Sequence, residues 1–457
     1  MSITYTDTLG QGSAANKREE RKVLAGTLVG TTIEWYDFFI FAQAAGLVLG
    51  TLFFEPMGES GSQIAAWVTL GISFLVRPLG AVVAGHMGDR FGRKIVLAIT
   101  LIGMGTATVM IGLLPTYATI GVWAPILLVF FRLLQGFSAG GEWGGAALMA
   151  VEHAPRGKRG LFGSAPQIGV PLGMILATGV LFAVRATMTD EQFLEWGWRI
   201  PFLISFILII VGAVIRRAVE ESPVFKEMQR LKKDESAPLG ELFRGHTKSV
   251  ILAALIFAAN NAIGYLVIAW FSKYGGPKGL GMTSNEVLTA SLVGGFGWFI
   301  FTLFGGWISD KIGRRLAFQI GYLILIAWSI PMFMMMNTAS LPMFAIALFI
   351  LTIGLGPSYG PQSAMYAEMF PAKVRFSGVS IGYAIGAIIG GAFAPLIADS
   401  LVGSGWIWVA VYMMAISAVS LIAVSMVPNS IQDRDLHDHD IDAADVDVLE
   451  AAKDGRI

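Results

Sequence analysis

No cysteine occurs anywhere in the 457 residues. Disulfides, thiolate nucleophiles and cysteine-ligated metals are therefore excluded. Charge is nearly as scarce: Asp, Glu, Lys and Arg make up 14% of the chain, where a soluble protein carries about 25%. The formal net charge is zero, and no basic stripe with interleaved aromatics appears, so nucleic acid is not an expected partner. Histidine is limited to positions 86, 153, 246, 437 and 439. No Gly-x-x-x-x-Gly-Lys-Ser/Thr phosphate loop is present, which disfavours ATP-driven chemistry. No nucleophile–base or metal constellation is visible either, so neither an enzyme nor a metal or other cofactor is expected.

What the chain does have is apolar length. Apolar residues make up 55% of it, glycine occurs 55 times and the mean hydropathy is +0.66. A membrane-crossing helix needs about 20 mostly apolar residues. Twelve such runs can be drawn, at 24–50, 63–84, 95–114, 122–150, 161–184, 201–216, 249–272, 288–308, 316–336, 341–366, 377–398 and 405–427. The polar first 22 residues do not resemble a cleavable leader, because the apolar run after them is too long and lacks a small-residue cleavage site. The expected organisation is an N-tail at 1–22, a six-helix half at 23–216, a polar linker at 217–248, a second six-helix half at 249–427 and an acidic tail at 428–457. The tail, with its His437-Asp438-His439-Asp440, reads as a solvated segment and not as a metal site.

Basic residues set the orientation. With the N-terminus placed inside, 26 of the 32 Lys and Arg residues fall on the inner side. Only Arg185, Arg199, Lys273 and Lys278 fall outside, and Arg77 and Arg132 lie within spans. Both termini are expected to be cytoplasmic.

Two repeats support a chain of two related halves. Gly85-His-Met-Gly-Asp-Arg-Phe-Gly-Arg-Lys94 returns 221 residues later as Gly306-Trp-Ile-Ser-Asp-Lys-Ile-Gly-Arg-Arg315. Glu152, Pro155 and Arg159 return 216 residues later, with the same internal spacing, as Glu368, Pro371 and Arg375. These charged positions can bridge helix ends, so Gly85, Asp89, Arg90, Gly92, Arg93, Asp310, Arg314, Glu152, Arg159, Glu368 and Arg375 are candidates for a cytoplasmic gate. The plainer alternative is that the bases only enforce topology.

The first loop motif, together with Arg132-Leu-Leu-Gln135-Gly136 in span four, resembles the major facilitator superfamily. Glu34-Trp35-Tyr36-Asp37-Phe38, Phe74 to Gly80, Gln135 to Glu142 and Trp196 to Phe202 are similar to its metabolite:proton symporter family. The resemblance spans nearly the whole chain, apart from the first 20 residues and the tail. It implies an all-α integral membrane fold of two pseudo-symmetric six-helix bundles, working as a monomer in a bacterial plasma membrane. It implies a small-molecule substrate and protons as partners, with the proton as coupling ion and no other cofactor. The substrates of that family include shikimate, other carboxylates, proline and betaine. A small carboxylate is the leading expectation. A zwitterion carrier, a proton antiporter or a non-transporting membrane sensor stays open.

Ionisable groups inside a bilayer are costly and tend to be functional. Glu34, Asp37, Arg77, Arg132 and Glu142 all lie in the first half. At about 1.5 Å per residue, Asp37 and Arg132 fall near and above the midplane, while Glu34, Arg77 and Glu142 form a lower group. Asp37, with Arg132 competing for its charge, is the expected proton site, and Glu34 and Glu142 are further candidates. A static pair tying spans one and four is the alternative. Arg77, Tyr36, Gln135, Asn260, Asn261, Tyr265, Tyr359 and Gln362 are candidate substrate contacts. For each of these neutral residues alone, helix-to-helix hydrogen bonding is the competing role.

Overall fold

The computed structural model describes residues 14–91, 93–155, 157–217, 238–372 and 374–432. The expected linker helices and the acidic tail fall largely outside the described residues. All regular structure among the described residues is helical. Ten helices are long and apolar enough to cross a membrane, and an eleventh span is the pair Asp190–Gly197 and Arg199–Val214, bent by 46°. The twelfth, span ten, is divided into Leu341–Leu355 and Gln362–Met369, which is why neither piece is long enough alone.

Several expected spans are thus broken, and the residues at the breaks give the reason. In span ten the break is Gly356-Pro-Ser-Tyr-Gly-Pro361. Two prolines there lack the N–H that would continue the ladder. The Leu355 carbonyl is taken instead by Asn260 Nδ2 of span seven, at 3.1 Å. The helix of span two is interrupted at Val76, between Gly58–Leu75 and Arg77–Phe91, next to Pro78. Span four breaks between Trp123–Ala139 and Glu142–Glu152, at the pair Gly140-Gly141. Irregular backbone at membrane depth is tolerated only where protein or a water-filled cavity surrounds it.

The 221-residue repeat extends from sequence to backbone. Span one, Lys22–Phe53, and span seven, Thr247–Gly275, each contain one π-helical turn, at Ala45–Leu49 and Leu266–Trp270. These turns are separated by the same interval as the loop motifs. They approach each other across the molecule: a Cβ on Gly46 would lie 3.8 Å from the Ala269 carbonyl oxygen. Between the halves, span five, Arg159–Thr187, packs on span eight, Ser284–Ile312, and span two packs on span eleven, Arg375–Val402.

Spans two and four are in backbone contact. A Cβ on Gly136 would sit 2.0 Å from the Ser73 carbonyl oxygen. Small residues allow such an approach, and in lipid that packing drives helix association. The substitution Gly136→Ala should therefore destabilise the fold by about 1–3 kcal/mol through overpacking. The check is a lower thermal unfolding midpoint in detergent; an unchanged midpoint would mean that the two spans are not pressed together.

Candidate functional site

Between the halves lies a closed cleft with about 10 Å3 of free space, the size of one water site. Trp35 of span one faces Asn260, Asn261 and Tyr265 of span seven, Trp298 of span eight and Tyr359 of span ten across it. Asn260 is committed to the break in span ten, donating also to Ser358 Oγ at 2.9 Å. Asn261 donates to the Ala387 carbonyl of span eleven at 3.1 Å. For both amide groups, then, the interhelical alternative is the one observed.

Arg77 is buried beside this cleft. Its guanidinium carbon lies 4.2 Å from the ring centre of Phe38, 4.5 Å from Phe74 and 5.6 Å from Trp35. Such faces attract a cation, but they offer no hydrogen-bond acceptor. Among the described residues, Nε and Nη2 of Arg77 have no protein partner, and neither do Trp35 Nε1, Trp298 Nε1 and the Tyr265 hydroxyl. Buried polar groups are normally satisfied, so this concentration of unmet donors marks a place built for acceptors. The expected lower cluster does not form around Arg77. No ion pair joins it to Glu34 or Glu142 among the described residues. Glu142 accepts from Thr100 Oγ1 of span three at 2.7 Å.

The expected direct pairing of Asp37 with Arg132 is also corrected. Asp37 Oδ1 accepts from Ser205 Oγ of span six at 2.5 Å, and Oδ2 has no donor. Arg132 donates to the Leu70 carbonyl at 3.0 Å, to Ser73 Oγ at 2.7 Å and to the Thr69 carbonyl at 3.4 Å, all in span two. Its guanidinium carbon is 3.8 Å from the Phe41 ring centre. These acceptors from span two hold the cation in place of a carboxylate. Gln135 and Tyr36 also differ from expectation. Gln135 accepts from Arg132 Nη1 and donates to Thr108 Oγ1 at 2.9 Å. Tyr36 donates to the Pro201 carbonyl at 2.6 Å and so ties span one to span six. Neither side chain meets the cleft.

At the end of the bundle that carries the loop repeats, six of the expected gate residues converge. Asp310 Oδ1 and Oδ2 accept from the backbone N–H groups of Gly160 and Leu161 at 2.8 and 2.9 Å, at the start of span five in the other half. Arg314 pairs with Asp310 at 2.6 Å and with Glu368 at 3.5 Å. Arg159 reaches Glu368 at 3.7 Å, and Arg375 reaches Glu152 at 4.0 Å. Gly313 takes a φ of 97° between spans eight and nine, a left-handed conformation that explains the glycine in the motif. In the first copy, Gly85, Asp89, Arg90 and Arg93 belong to helices. Their surroundings, and Gly92 altogether, lie outside the described residues.

A floor between latch and cleft was missed by reasoning that looked for charges. Trp143 of span four stacks on Tyr383 of span eleven, with centroids 3.8 Å apart and planes 9° from parallel. Trp143 Nε1 donates to Gln167 Oε1 at 2.7 Å. Gln167 Nε2 donates in turn to the Tyr359 carbonyl at 3.1 Å and to Gln362 Oε1 at 3.2 Å. Gln362 thus takes part in closing the cleft. The far end holds a vestibule of about 970 Å3, lined by both halves and by Arg185, Lys273 and Lys278. Those are three of the four bases expected on the outer side. The structure is closed at the latch end and open at the far end.

Comparison with known proteins adds an independent line. Residues 27–378 match the model of the Major Facilitator Superfamily. The inner membrane metabolite transport protein YhjE of Escherichia coli (strain K12) is 40% identical over 381 residues, covering 82% of this chain and 87% of that protein. The shikimate transporter of the same organism is 36% identical, covering 91% and 96%. The proline/betaine transporter of Salmonella typhimurium is 33% identical, covering 90% and 84%. Among solved structures, the proton:xylose symporter XylE bound to 6-bromo-6-deoxy-D-glucose superposes with a TM-score of 0.77, covering 92% of this chain and 98% of that one, at 17% identity.

If the latch holds the closed end together, Glu368→Gln should loosen it. Because the chain has no cysteine, Ser363→Cys gives a single reporter between latch and cleft. Its labelling by a membrane-impermeant maleimide from the latch side should speed up several-fold in the Glu368→Gln background. An unchanged labelling rate would remove Glu368 from the gate.

Proposed function

Because the chain belongs to the Major Facilitator Superfamily and is a multi-pass membrane transporter of metabolites, not an enzyme, we propose that it is a proton-coupled importer of a small carboxylate. Its site is the cleft beside Arg77, and the latch end faces the cytoplasm. The carrying observation is the unmet donor set. Among the described residues, Arg77 presents Nε and Nη2 without a protein acceptor, the neighbouring Trp35 and Trp298 present unmet indole N–H groups, and Tyr265 presents an unmet hydroxyl that can donate or accept. A carboxylate with further hydroxyl or carbonyl oxygens supplies the missing acceptors, and a guanidinium holds it bidentately. The geometry supports a reading by alternating access: an open vestibule on one side, a stacked aromatic floor and an ion-pair latch on the other.

Asp37 is the proposed proton carrier. It is fully buried and accepts from the Ser205 hydroxyl, and it makes no ion pair among the described residues. Burying a charge without a partner is expensive, and taking up a proton relieves that cost. Glu34, one turn away, is the reserve candidate. The placement of the latch end in the cytoplasm rests on the bias of basic residues toward it.

A second reading has its own support. The aromatic faces of Trp35, Phe39, Phe74 and Tyr265 meet at centroid distances of 5.1–6.4 Å, and such faces suit a quaternary ammonium. A zwitterion of the betaine type would use them together with Arg77. Uptake into proteoliposomes under an imposed pH gradient, with a panel of hydroxylated carboxylates and betaines, separates the two.

Arg77→Lys should weaken substrate uptake by about 10- to 100-fold, the loss of a bidentate charged hydrogen bond. Normal half-saturation in that variant would move the substrate elsewhere. Asp37→Asn should abolish accumulation driven by the pH gradient while substrate exchange persists. Gradient-driven accumulation in Asp37→Asn would rule out Asp37 as the carrier.

A further inference from the structure

Unmet polar atoms recur outside the cleft, on the inner wall of the vestibule of about 970 Å3. Gln43 of span one lines that space, although the residue is only 3% exposed. Its Nε2 donates to Thr178 Oγ1 of span five at 2.6 Å, which fixes the amide in place. Its Oε1 has no protein donor among the described residues. Ser272 of span seven lines the same space from the other half, and its Oγ is unmet too. Buried polar atoms are normally satisfied, so each lacks a partner that something other than the protein must supply. Both residues stand beside a π-helical turn. Gln43 precedes the turn Ala45–Leu49 by two residues, and Ser272 follows Leu266–Trp270 by two. Such turns are frequent at functional sites. Gln63 of span two, another residue of this wall, donates to the Ala45 carbonyl of the first turn at 3.2 Å.

The charges of the vestibule decide which chemistry suits it. Each base that lines it is matched by an acid. Lys273 meets Asp399 at 2.6 Å, Arg185 meets Asp190 at 2.8 Å, and Lys278 meets Glu59 of the other half. Glu55 adds a further acid to the wall. Among the described residues, then, no base there is left over for a carboxylate. What is left over is the amide oxygen of Gln43, which only accepts, and the hydroxyl of Ser272, which donates or accepts. An amide oxygen calls for a donor, and an ionised carboxylate has none.

We propose that the inner wall of the vestibule is a second, outer subsite, where Gln43 and Ser272 take the hydroxyl groups of an incoming ligand before its carboxylate reaches Arg77. This rests on the reading of the cleft as the carboxylate site. One small molecule does not fill both places at once. Trp35 packs on Arg77 at 5.6 Å, and Gln43 lies eight residues further along the same helix, about 12 Å away. The two spaces nevertheless adjoin, because Ala269 lines the vestibule while its neighbour Ile268 lines the cleft. A ligand passes from one to the other when that boundary opens. It is sorted twice on the way. At the outer subsite a ligand without hydroxyls leaves Gln43 Oε1 without a donor, which costs binding. At the cleft the carboxylate is required.

The test exploits the absence of cysteine. Leu47→Cys places a single thiol on the vestibule wall, one helical turn beyond Gln43. Its labelling by a membrane-impermeant maleimide is timed in an Arg77→Lys background, where the cleft is weakened. The probes are myo-inositol, a ring with hydroxyls and no carboxylate, and cyclohexanecarboxylate, the reverse. Inositol should slow the labelling several-fold, and cyclohexanecarboxylate should not. Gln43→Leu should raise the half-protecting inositol concentration by about three- to tenfold, the loss of one hydrogen bond. Ser272→Ala should raise it by a similar factor, and it carries the comparison if Gln43→Leu fails to insert. No protection by inositol, equal protection by both probes, or unchanged protection in the variants would overturn the subsite and leave Gln43 to water alone. Uptake of hydroxylated carboxylates by Arg77→Lys is measured alongside. Normal half-saturation there removes the cleft reading; weakened uptake with no protection of the thiol removes the outer subsite alone.

Discussion

The interior of a bilayer offers no water, and every polar group placed there must be met by protein. Most features of this molecule follow from that constraint. The carbonyl released by the break in span ten is claimed by Asn260. Two carbonyls and a hydroxyl of span two receive the buried Arg132. A broken span and a buried arginine are each costly alone. Here the cation is held by carbonyls of span two, and glycines bring spans two and four close enough for it to reach them. Sequence, local geometry and packing are therefore one argument in the first half.

The two halves share a frame but differ in content. Both contain a π-helical turn at the same register, and both contribute acid and base to the latch. The buried mid-span charges, however, are confined to the first half. The second half contributes aromatic rings, amides and an irregular stretch of backbone. A chain descended from a repeat can afford this, since the frame requires the glycines and turns to recur while the cleft does not require symmetric chemistry. The proposed division between a proton half and a neutral half grows from that contrast.

Much of this was legible in the chain. Apolar length gave twelve spans, and the spacing of Glu152 and Arg159 against Glu368 and Arg375 marked residues that do meet across the halves. What the sequence concealed was direction. Depth along a helix could place Asp37 and Arg132 near one another, but not the side each faces. The helix interruptions at Val76, Gly140-Gly141 and Gly356–Pro361 are not contained in a depth ruler. Tyr36 and Gln135 stood in motifs that suggested substrate contact, and both turned out to tie helices together. Trp143 and Gln167 were overlooked for a different reason. A tryptophan and a glutamine in apolar spans have no signal of their own until Tyr383 and Tyr359 from the other half are brought against them.

The chemistry of the latch suits a structure that must come apart. Its pairs are almost fully buried, with side-chain exposures of 9% or less. Taking such charges out of water costs nearly as much as their attraction returns, so the closed end gains specificity of fit more than depth of energy. When it opens, water recovers the desolvation cost of each charge, and the loss per ion pair is small. A latch made of buried leucines would not have this property, since exposing apolar surface carries a penalty of about 25 cal/mol per Å2. Stacked Trp143 and Tyr383 add one such apolar contact, held in register by Gln167. On the proposed function, an end closed mostly by ionic pairs with one aromatic plate is balanced so that modest differences in ligand binding can decide which end is open.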